Sequence, residues 1–150
     1  MADVLLRGGL ACDPQAGTQQ VADVLVGAGR VVAVGPELTA PVDAEVVDVS
    51  GLVVGPGFVD LHSHVHSVAG HRLHAFDGVT TALDLEAGMM PVERAYRDAA
   101  AEGRPLNYGF SASWAAARGQ VLVGFEPDAS LTSTLALLSD PAWRRSSTPA

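Results

Sequence analysis

The sequence has one cysteine, few charged residues and no long apolar run. Cys12 is its only cysteine, so no disulfide can form within the chain. A lone cysteine suits a reducing cytoplasm, and this is the location that we expect. The N-terminus lacks a basic stretch followed by a long apolar run, so we expect no signal peptide. No apolar run is long enough to span a bilayer, and we predict no membrane partner.

Basic residues are scarce as well. The chain has 9 Lys and Arg against 17 Asp and Glu, a formal net charge of -8. This charge gives no support for binding to nucleic acid or to an anionic membrane. Hydrophobic residues make up 48% of the 150 residues and charged residues 17%, which excludes a disordered chain. The composition predicts a globular α/β protein with a buried core.

The sequence changes character at Gly55-Pro56-Gly57. Residues 1–54 contain short β-branched runs between glycines and prolines, typical of a small all-β unit with exposed edges. Within it, 21–26 and 31–34 are predicted to form a hairpin. The later part alternates strands with helices, which predicts βαβ units and a parallel sheet. Its predicted strands are 79–85, 105–111 and 120–125, and its predicted helices are 67–76, 91–101, 114–118 and 131–138.

A short buried strand that ends in two histidines is predicted from Gly55 to His64. Residues two apart on a strand share a face, so Asp60, His62 and His64 form one polar column. Two imidazole nitrogens at a strand end can converge on one metal ion, each about 2 Å from it. Histidine also serves other roles, so the pair alone leaves metal binding and a structural role open.

A second polar column lies at the end of the predicted strand 79–85, where Asp84 and the following Glu86 share a face. Neighbouring parallel strands are about 4.8 Å apart, and ligands bind at the carboxyl ends of such strands. Glu86 is therefore within reach of the histidine pair if the two strands are neighbours. Two histidines and a carboxylate are a common zinc ligand set, with Asp60 as a supporting residue. The alternative is that both carboxylates cap a loop and face water.

Three further histidines follow the pair. His66 is close to it in sequence and is a candidate substrate contact on that ground alone. His71 and His74 are three residues apart on a predicted helix and can share a face. Surface or loop roles are favoured for both.

The stretch from Gly51 to His64, Gly-Leu-Val-Val-Gly-Pro-Gly-Phe-Val-Asp-Leu-His-Ser-His, resembles the entry motif of the amidohydrolase superfamily. Members carry P-G, two hydrophobic residues and D-x-H-x-H at the end of the first strand of a (β/α)8 barrel. Asp77-Gly-Val-Thr-Thr81 resembles the opening of their second barrel strand. The run to Glu86, with Ala87-Gly88, Pro91-Val92 and Asn107-Tyr-Gly109, most resembles the D-aminoacylase branch, the N-acyl-D-amino-acid deacylases.

The resemblance implies a fold in two parts. Residues 1–54 would be a small β-sandwich segment, and residues 55–150 the first few βα units of a metal-dependent (β/α)8 TIM barrel. Such a barrel needs about 250 residues, and no histidine follows His74. We therefore expect the barrel to be incomplete in this chain, an N-terminal part that lacks the catalytic residues and is inactive by itself.

The resemblance also implies a site. His62 and His64 match the metal-binding pair, and Asp60 matches an aspartate that is not usually a direct ligand. In the D-aminoacylase branch a ligand, often cysteine, follows the second strand. No cysteine stands there in this chain, so Glu86 is the predicted replacement. Asp84 is its competitor, and is otherwise expected to support the ligands as Asp60 does. One or two Zn²⁺ ions and a metal-activated water would hydrolyse the C–N bond of an N-acyl amino acid or a related amide.

Three alternatives remain open. The first is a cyclic amidase, similar to dihydroorotase or hydantoinase. The second is a non-catalytic remnant or assembly module that forms a homo-oligomer through exposed sheet edges. The third is a protein that binds metal through the histidines without hydrolysis.

Overall fold

The computed structural model describes residues 2–146, which form a mixed α/β structure. In that range there are two β-sheets and five helices. The chain separates into two compact units between Pro56 and Gly57. The first unit contains only strands, whereas the second alternates strands with helices. None of the helices described is long and apolar enough to cross a membrane.

The first unit is built around one sheet in which β1 is paired on both sides. The strand order is β3-β2-β1-β4, and β5 also pairs with β1. The predicted hairpin is confirmed, since β2 and β3 pair antiparallel with Leu25 opposite Ala33. Ala28 and Gly29 both have positive φ, as a tight hairpin turn requires. The strands are β1 (Val4–Asp13), β2 (Thr18–Gly27), β3 (Arg30–Gly35), β4 (Glu45–Asp48) and β5 (Val53–Val54).

A buried carboxylate fixes the centre of this first sheet. Asp23 is 5% exposed, and its two oxygens accept hydrogen bonds from the backbone N–H groups of Gly8 (2.9 Å) and Leu38 (3.0 Å). Arg7 adds an ion pair at 3.7 Å. The aspartate thus satisfies the Gly8 N–H where β1 and β2 lose their regular register, between Leu6 and Gly9, and the Leu38 N–H beyond β3. This role is structural.

The second unit contains the parallel sheet that the sequence predicts. The strand order is β6-β7-β8, with Val59 opposite Thr81 and Leu83 opposite Gly109. A helix follows each of the three strands, so the predicted βαβ alternation is confirmed. The elements are β6 (Phe58–Asp60), α1 (Val68–Phe76), β7 (Val79–Met89), α2 (Val92–Glu102), β8 (Asn107–Ala112), α3 (Trp114–Val123), α4 (Leu131–Ser139) and α5 (Pro141–Ser146).

The strand predicted at 120–125 is wrong, because most of this segment belongs to helix α3. The apolar run there resembles a strand, but the two ends of the segment decide the structure. The Ser113 side chain accepts a hydrogen bond from the Ala116 N–H (3.3 Å) and begins the helix, and Gly124 ends it with φ 67°. A serine cap and a left-handed glycine are strong helix boundaries.

The strand before the histidine pair is shorter and less buried than predicted. β6 ends at Asp60, so His62 and His64 lie beyond it rather than in a strand column. β6 is also the edge of the described sheet. Its apolar side chains are consequently exposed, Phe58 by 69% and Val59 by 56%.

The helices at the end of the second unit share a small apolar core. Ala115 of α3, Leu137 of α4 and Trp143 of α5 are each at most 6% exposed and pack together. Val123 and Phe125 pack against this cluster. Burial of Leu137 and Trp143 therefore contributes to holding the three helices in place.

Candidate metal centre

The histidine segment is fixed to strand β7 by backbone contacts. Asp60, at the end of β6, accepts a hydrogen bond from the His62 N–H at 3.0 Å. One residue further, the Ser63 N–H donates to the Leu83 carbonyl at 3.0 Å. His62 also forms an isolated bridge with Asp84. These contacts turn the chain so that the imidazoles lie over the carboxyl end of β7.

Three polar atoms converge at this edge of the sheet. The Nε2 atoms of His62 and His64 are 3.2 Å apart. The Oε2 atom of Glu86 lies 3.4 Å from the first and 3.2 Å from the second. The structure thus brings together the three residues that the sequence predicts as metal ligands.

The size of this triangle fits a zinc ion. Two ligand atoms that are each about 2.05 Å from a tetrahedral zinc ion lie about 3.3 Å apart. All three edges of the triangle, 3.2 to 3.4 Å, match this separation. The side chains of His62 and Glu86 are 66% and 64% exposed, so an ion and further ligands can reach the site from solvent.

Asp84, the predicted competitor of Glu86, occupies a different position. Its carboxylate is buried, with a side chain 1% exposed. The Oδ2 atom lies 2.9 Å from His66 Nε2 and 3.5 Å from His64 Nδ1, the nitrogen of His64 that faces away from the triangle. These three atoms form a second, deeper group that can hold a metal ion.

His66 lies between this buried carboxylate and a cleft. Its ring stacks on Phe110 at a centroid distance of 5.8 Å, and burial lowers its pKa, an effect that the charge of Asp84 opposes. His66 and His64 both line a cleft of about 550 Å³, a volume in the range of small-molecule sites.

The expectation of a surface or loop role is wrong for His71. It lies on α1 but is 1% exposed, because that face of the helix is covered by the segment after the histidine pair. Its Nε2–H donates to the Val65 carbonyl at 3.1 Å. Burial lowers the pKa of His71, an effect that the bond to Val65 opposes. His74 is half-buried on the same helix.

Arg104 was not predicted as a site residue, but it supports the backbone of the histidine segment. Its side chain is 5% exposed, and its Nε–H donates to Glu102 at 3.0 Å. An Nη2–H donates to the carbonyl of His66 at 2.9 Å. The guanidinium also lies over the rings of Tyr108 and Phe110 at 5.8 and 5.7 Å. No signal in the sequence marks Arg104, because arginine in a loop is usually exposed.

A parallel βαβ unit with two histidines and a carboxylate at the carboxyl ends of its strands is an arrangement found in α/β metalloenzymes. The chain belongs to the amidohydrolase family, whose family model matches residues 45–139.

Curated relatives support this membership. A dihydroorotase of Geobacter sulfurreducens is 38% identical over 88 residues, which cover 53% of this chain and 21% of that protein. A dihydroorotase of Streptococcus pneumoniae is 40% identical over 85 residues, 57% of this chain and 19% of that protein. The chain thus spans about a fifth of the length of these relatives.

Solved structures share the fold. An N-acyl-D-glutamate deacylase from Bordetella bronchiseptica, complexed with zinc, has a TM-score of 0.64 and 20% identity, over 92% of this chain and 35% of that chain. A D-hydantoinase from Bacillus sp. AR9 has a TM-score of 0.61 and 31% identity, over 79% of this chain and 29% of that chain.

Proposed function

We propose that this chain supplies the first-strand corner of the metal site in a hydrolase that cleaves non-peptide C–N amide bonds. The observation that carries the proposal is the triangle of His62 Nε2, His64 Nε2 and Glu86 Oε2, with edges of 3.2 to 3.4 Å. A zinc ion bound there would polarise an amide carbonyl and activate water for attack. One such ion fits the triangle, and a second remains part of the proposal.

The residues of the chain hold and orient this site. His62 and His64 supply two neutral nitrogen ligands, and Glu86 supplies a negatively charged oxygen that offsets part of the metal charge. Asp60 holds the His62 backbone. The adjacent cleft, lined by His64 and His66, has room for a small amide. In this proposal His66 is a substrate contact, and no catalytic base is assigned within the chain.

The same proposal includes the architecture. The two units are the N-terminal part of a small β-sandwich and the first βα units of a (β/α)8 barrel whose later strands lie outside these 150 residues. The order of elements and the family match support this assignment. The activity therefore belongs to the whole protein, because the chain spans a minor part of its relatives. A cytoplasmic location stays a prediction.

Two substrate classes are candidates. The D-aminoacylase resemblance favours an N-acyl-D-amino acid, but the deacylase neighbour is 20% identical and supports the fold alone. Relatives named dihydroorotase are 38% and 40% identical. This closer similarity favours a cyclic amide, and we place that class first.

Zinc titration of the 150-residue protein tests the metal site. We expect one ion to bind with a calorimetric signal that His62→Ala and His64→Ala abolish. His74→Ala, which removes a histidine outside the triangle, is the matched control and retains binding. A parent protein that binds no zinc, or variants that bind as well as the parent, would refute the site.

Hydrolysis assays test the substrate class, using the product of the whole natural reading frame. Dihydroorotate, a hydantoin and an N-acyl-D-amino acid are offered in parallel. We expect chelator-sensitive hydrolysis of a cyclic amide. Hydrolysis of the acyl amino acid alone would instead support the D-aminoacylase class. The 150-residue chain by itself is expected to be inactive, and chelator-sensitive turnover by it would contradict that expectation.

Self-association is the remaining candidate role. Phe58, Val59 and Leu61, on or just after the edge strand β6, are 69%, 56% and 59% exposed, and an unpaired strand edge can pair with a second copy. Light scattering is expected to show a dimer or larger species. A well-folded monomer would count against an assembly module.

A further inference from the structure

Asp84, predicted from the sequence as a competing ligand or a supporting residue, makes several contacts around the histidine segment. It is 2% exposed, and both of its oxygens are engaged. Oδ1 accepts hydrogen bonds from the backbone N–H groups of Ala87 (3.1 Å) and Gly88 (2.9 Å). A carboxylate held by two backbone groups has one orientation, so Oδ2 is fixed in space.

The backbone of β7 is bent to make this possible. Gly88 has φ +66°, and a Cβ atom added there would lie 2.7 Å from the Ser111 carbonyl oxygen. Glycine is therefore required both for the left-handed conformation and for the close approach to β8. The register between β7 and β8 is interrupted at the same place, between Asp84 and Met89.

The fixed oxygen faces two imidazoles. Oδ2 lies 2.9 Å from His66 Nε2, a hydrogen bond in which the nitrogen donates. It lies 3.5 Å from His64 Nδ1, so the effect on that ring is mainly electrostatic. Glu86 lies 3.2 Å from Nε2 of the same ring, but its side chain is 64% exposed and water screens its charge. The charge of buried Asp84 is screened much less, so it favours the proton of neutral His64 on Nδ1. The Nε2 atom, which points to Glu86 and His62, then carries the free lone pair.

We propose that Asp84 is a positioning residue that selects the Nδ1–H tautomer of His64 and thereby presents Nε2 to the metal. The inference rests on the proposed metal site, with His62, His64 and Glu86 as ligands. A metal-binding histidine commonly directs its other N–H to a carboxylate, and loss of that partner typically lowers metal affinity 10- to 100-fold. His66 shares the same oxygen and helps to hold the carboxylate in place.

The tautomer is measured directly by long-range ¹H–¹⁵N NMR of the metal-free protein at about pH 8, where ordinary histidines are neutral. We expect His64 to be protonated on Nδ1. When zinc is added, the ¹⁵N chemical shift of Nε2 should change, because this nitrogen would bind the metal. A His64 protonated on Nε2 would overturn the proposal. The measurement needs no variant, so it holds even if substitutions at Asp84 prevent folding.

Zinc affinity gives the second readout. Asp84→Asn keeps the shape of the side chain and removes its charge, and we expect Kd to rise 10- to 100-fold. Asp98→Asn, at a side chain 53% exposed on α2, is the matched control and leaves Kd unchanged. A folded Asp84→Asn protein with the parent Kd would overturn the proposal.

Two further outcomes separate this inference from the proposed function. Loss of zinc binding in His66→Gln, together with retained binding in His62→Ala, would place the ion in the deeper group and make Asp84 a ligand rather than a positioning residue. A parent protein that binds no zinc would refute the proposed metal site. In that case the tautomer of metal-free His64 would still show whether Asp84 selects the Nδ1–H form.

Discussion

Replacing Glu86 by glutamine removes the negative charge of the candidate metal centre and leaves its size nearly unchanged. The Oε2 atom of Glu86 lies 3.4 and 3.2 Å from the two histidine Nε2 atoms. Because its side chain is 64% exposed, the substitution leaves no buried polar group without a partner. We therefore expect the fold to be retained and the zinc affinity to fall.

The magnitude follows from the geometry. A carboxylate bound through one oxygen has its charge centred about 2.7 Å from the metal. Even at the dielectric constant of water, about 80, its attraction to a divalent ion at that distance is about 3 kcal/mol. At about 1.4 kcal/mol for each factor of ten, Kd should rise by about two orders of magnitude.

Isothermal titration with Zn²⁺ measures this change, and circular dichroism checks the fold. Glu93→Gln is the matched control, because Glu93 is an exposed glutamate in the first turn of α2 and its replacement changes the net charge equally. A folded Glu86→Gln protein with the Kd of the parent would refute the reasoning and remove Glu86 from the ligand set.

Three further predictions concern stability. Burial lowers the pKa of His71, so its contribution to stability is present above about pH 6.5 and is lost as the pH falls through the folded-state value. The urea midpoint should fall less for His71→Gln than for the parent between about pH 7.5 and pH 5.5, and equal falls would contradict this. Leu137→Ala, at a site 3% exposed, should lower the free energy of unfolding in urea by about 2 to 5 kcal/mol. Leu135→Ala, at a site 54% exposed on the same helix, should lower it much less. Similar losses would refute the core assignment. Gly88→Ala and Gly103→Ala both replace left-handed glycines, but of these two sites only Gly103 has open space for a Cβ. Thermal unfolding should therefore show a loss of stability of about 1 kcal/mol for Gly103→Ala and a clearly larger loss for Gly88→Ala. Equal losses would argue against the close contact of β7 with β8.

Much of the fold was predictable because local signals agreed with tertiary structure. The β2–β3 hairpin followed from a glycine turn between two β-branched runs, and α2 from its apolar periodicity and Gly103. The strand prediction for 120–125 failed because a short apolar run has no periodicity that distinguishes a strand from a helix. The deciding signals were the caps, Ser113 and Gly124, at the ends of the segment.

The ligand triangle was also within reach of sequence reasoning, because neighbouring parallel strands bring His62, His64 and Glu86 to one edge. The burial of His71 and the contacts of Asp84 could not be predicted from the sequence. Both depend on the path of the chain after β6, which leaves the strand at Asp60, and on the bend of β7 at Gly88. Such departures from regular strands carry no periodic signal.

X-ray absorption spectroscopy of the zinc-loaded 150-residue protein tests the metal site most directly. We expect a first coordination shell of nitrogen and oxygen at about 2.0 to 2.2 Å, with outer-shell scattering from two imidazoles. Imidazole scattering should be absent from a His62→Ala sample, because that variant is expected to lose the bound ion. A first shell of oxygen alone without imidazole scattering, as for hydrated zinc, would contradict the proposed metal site.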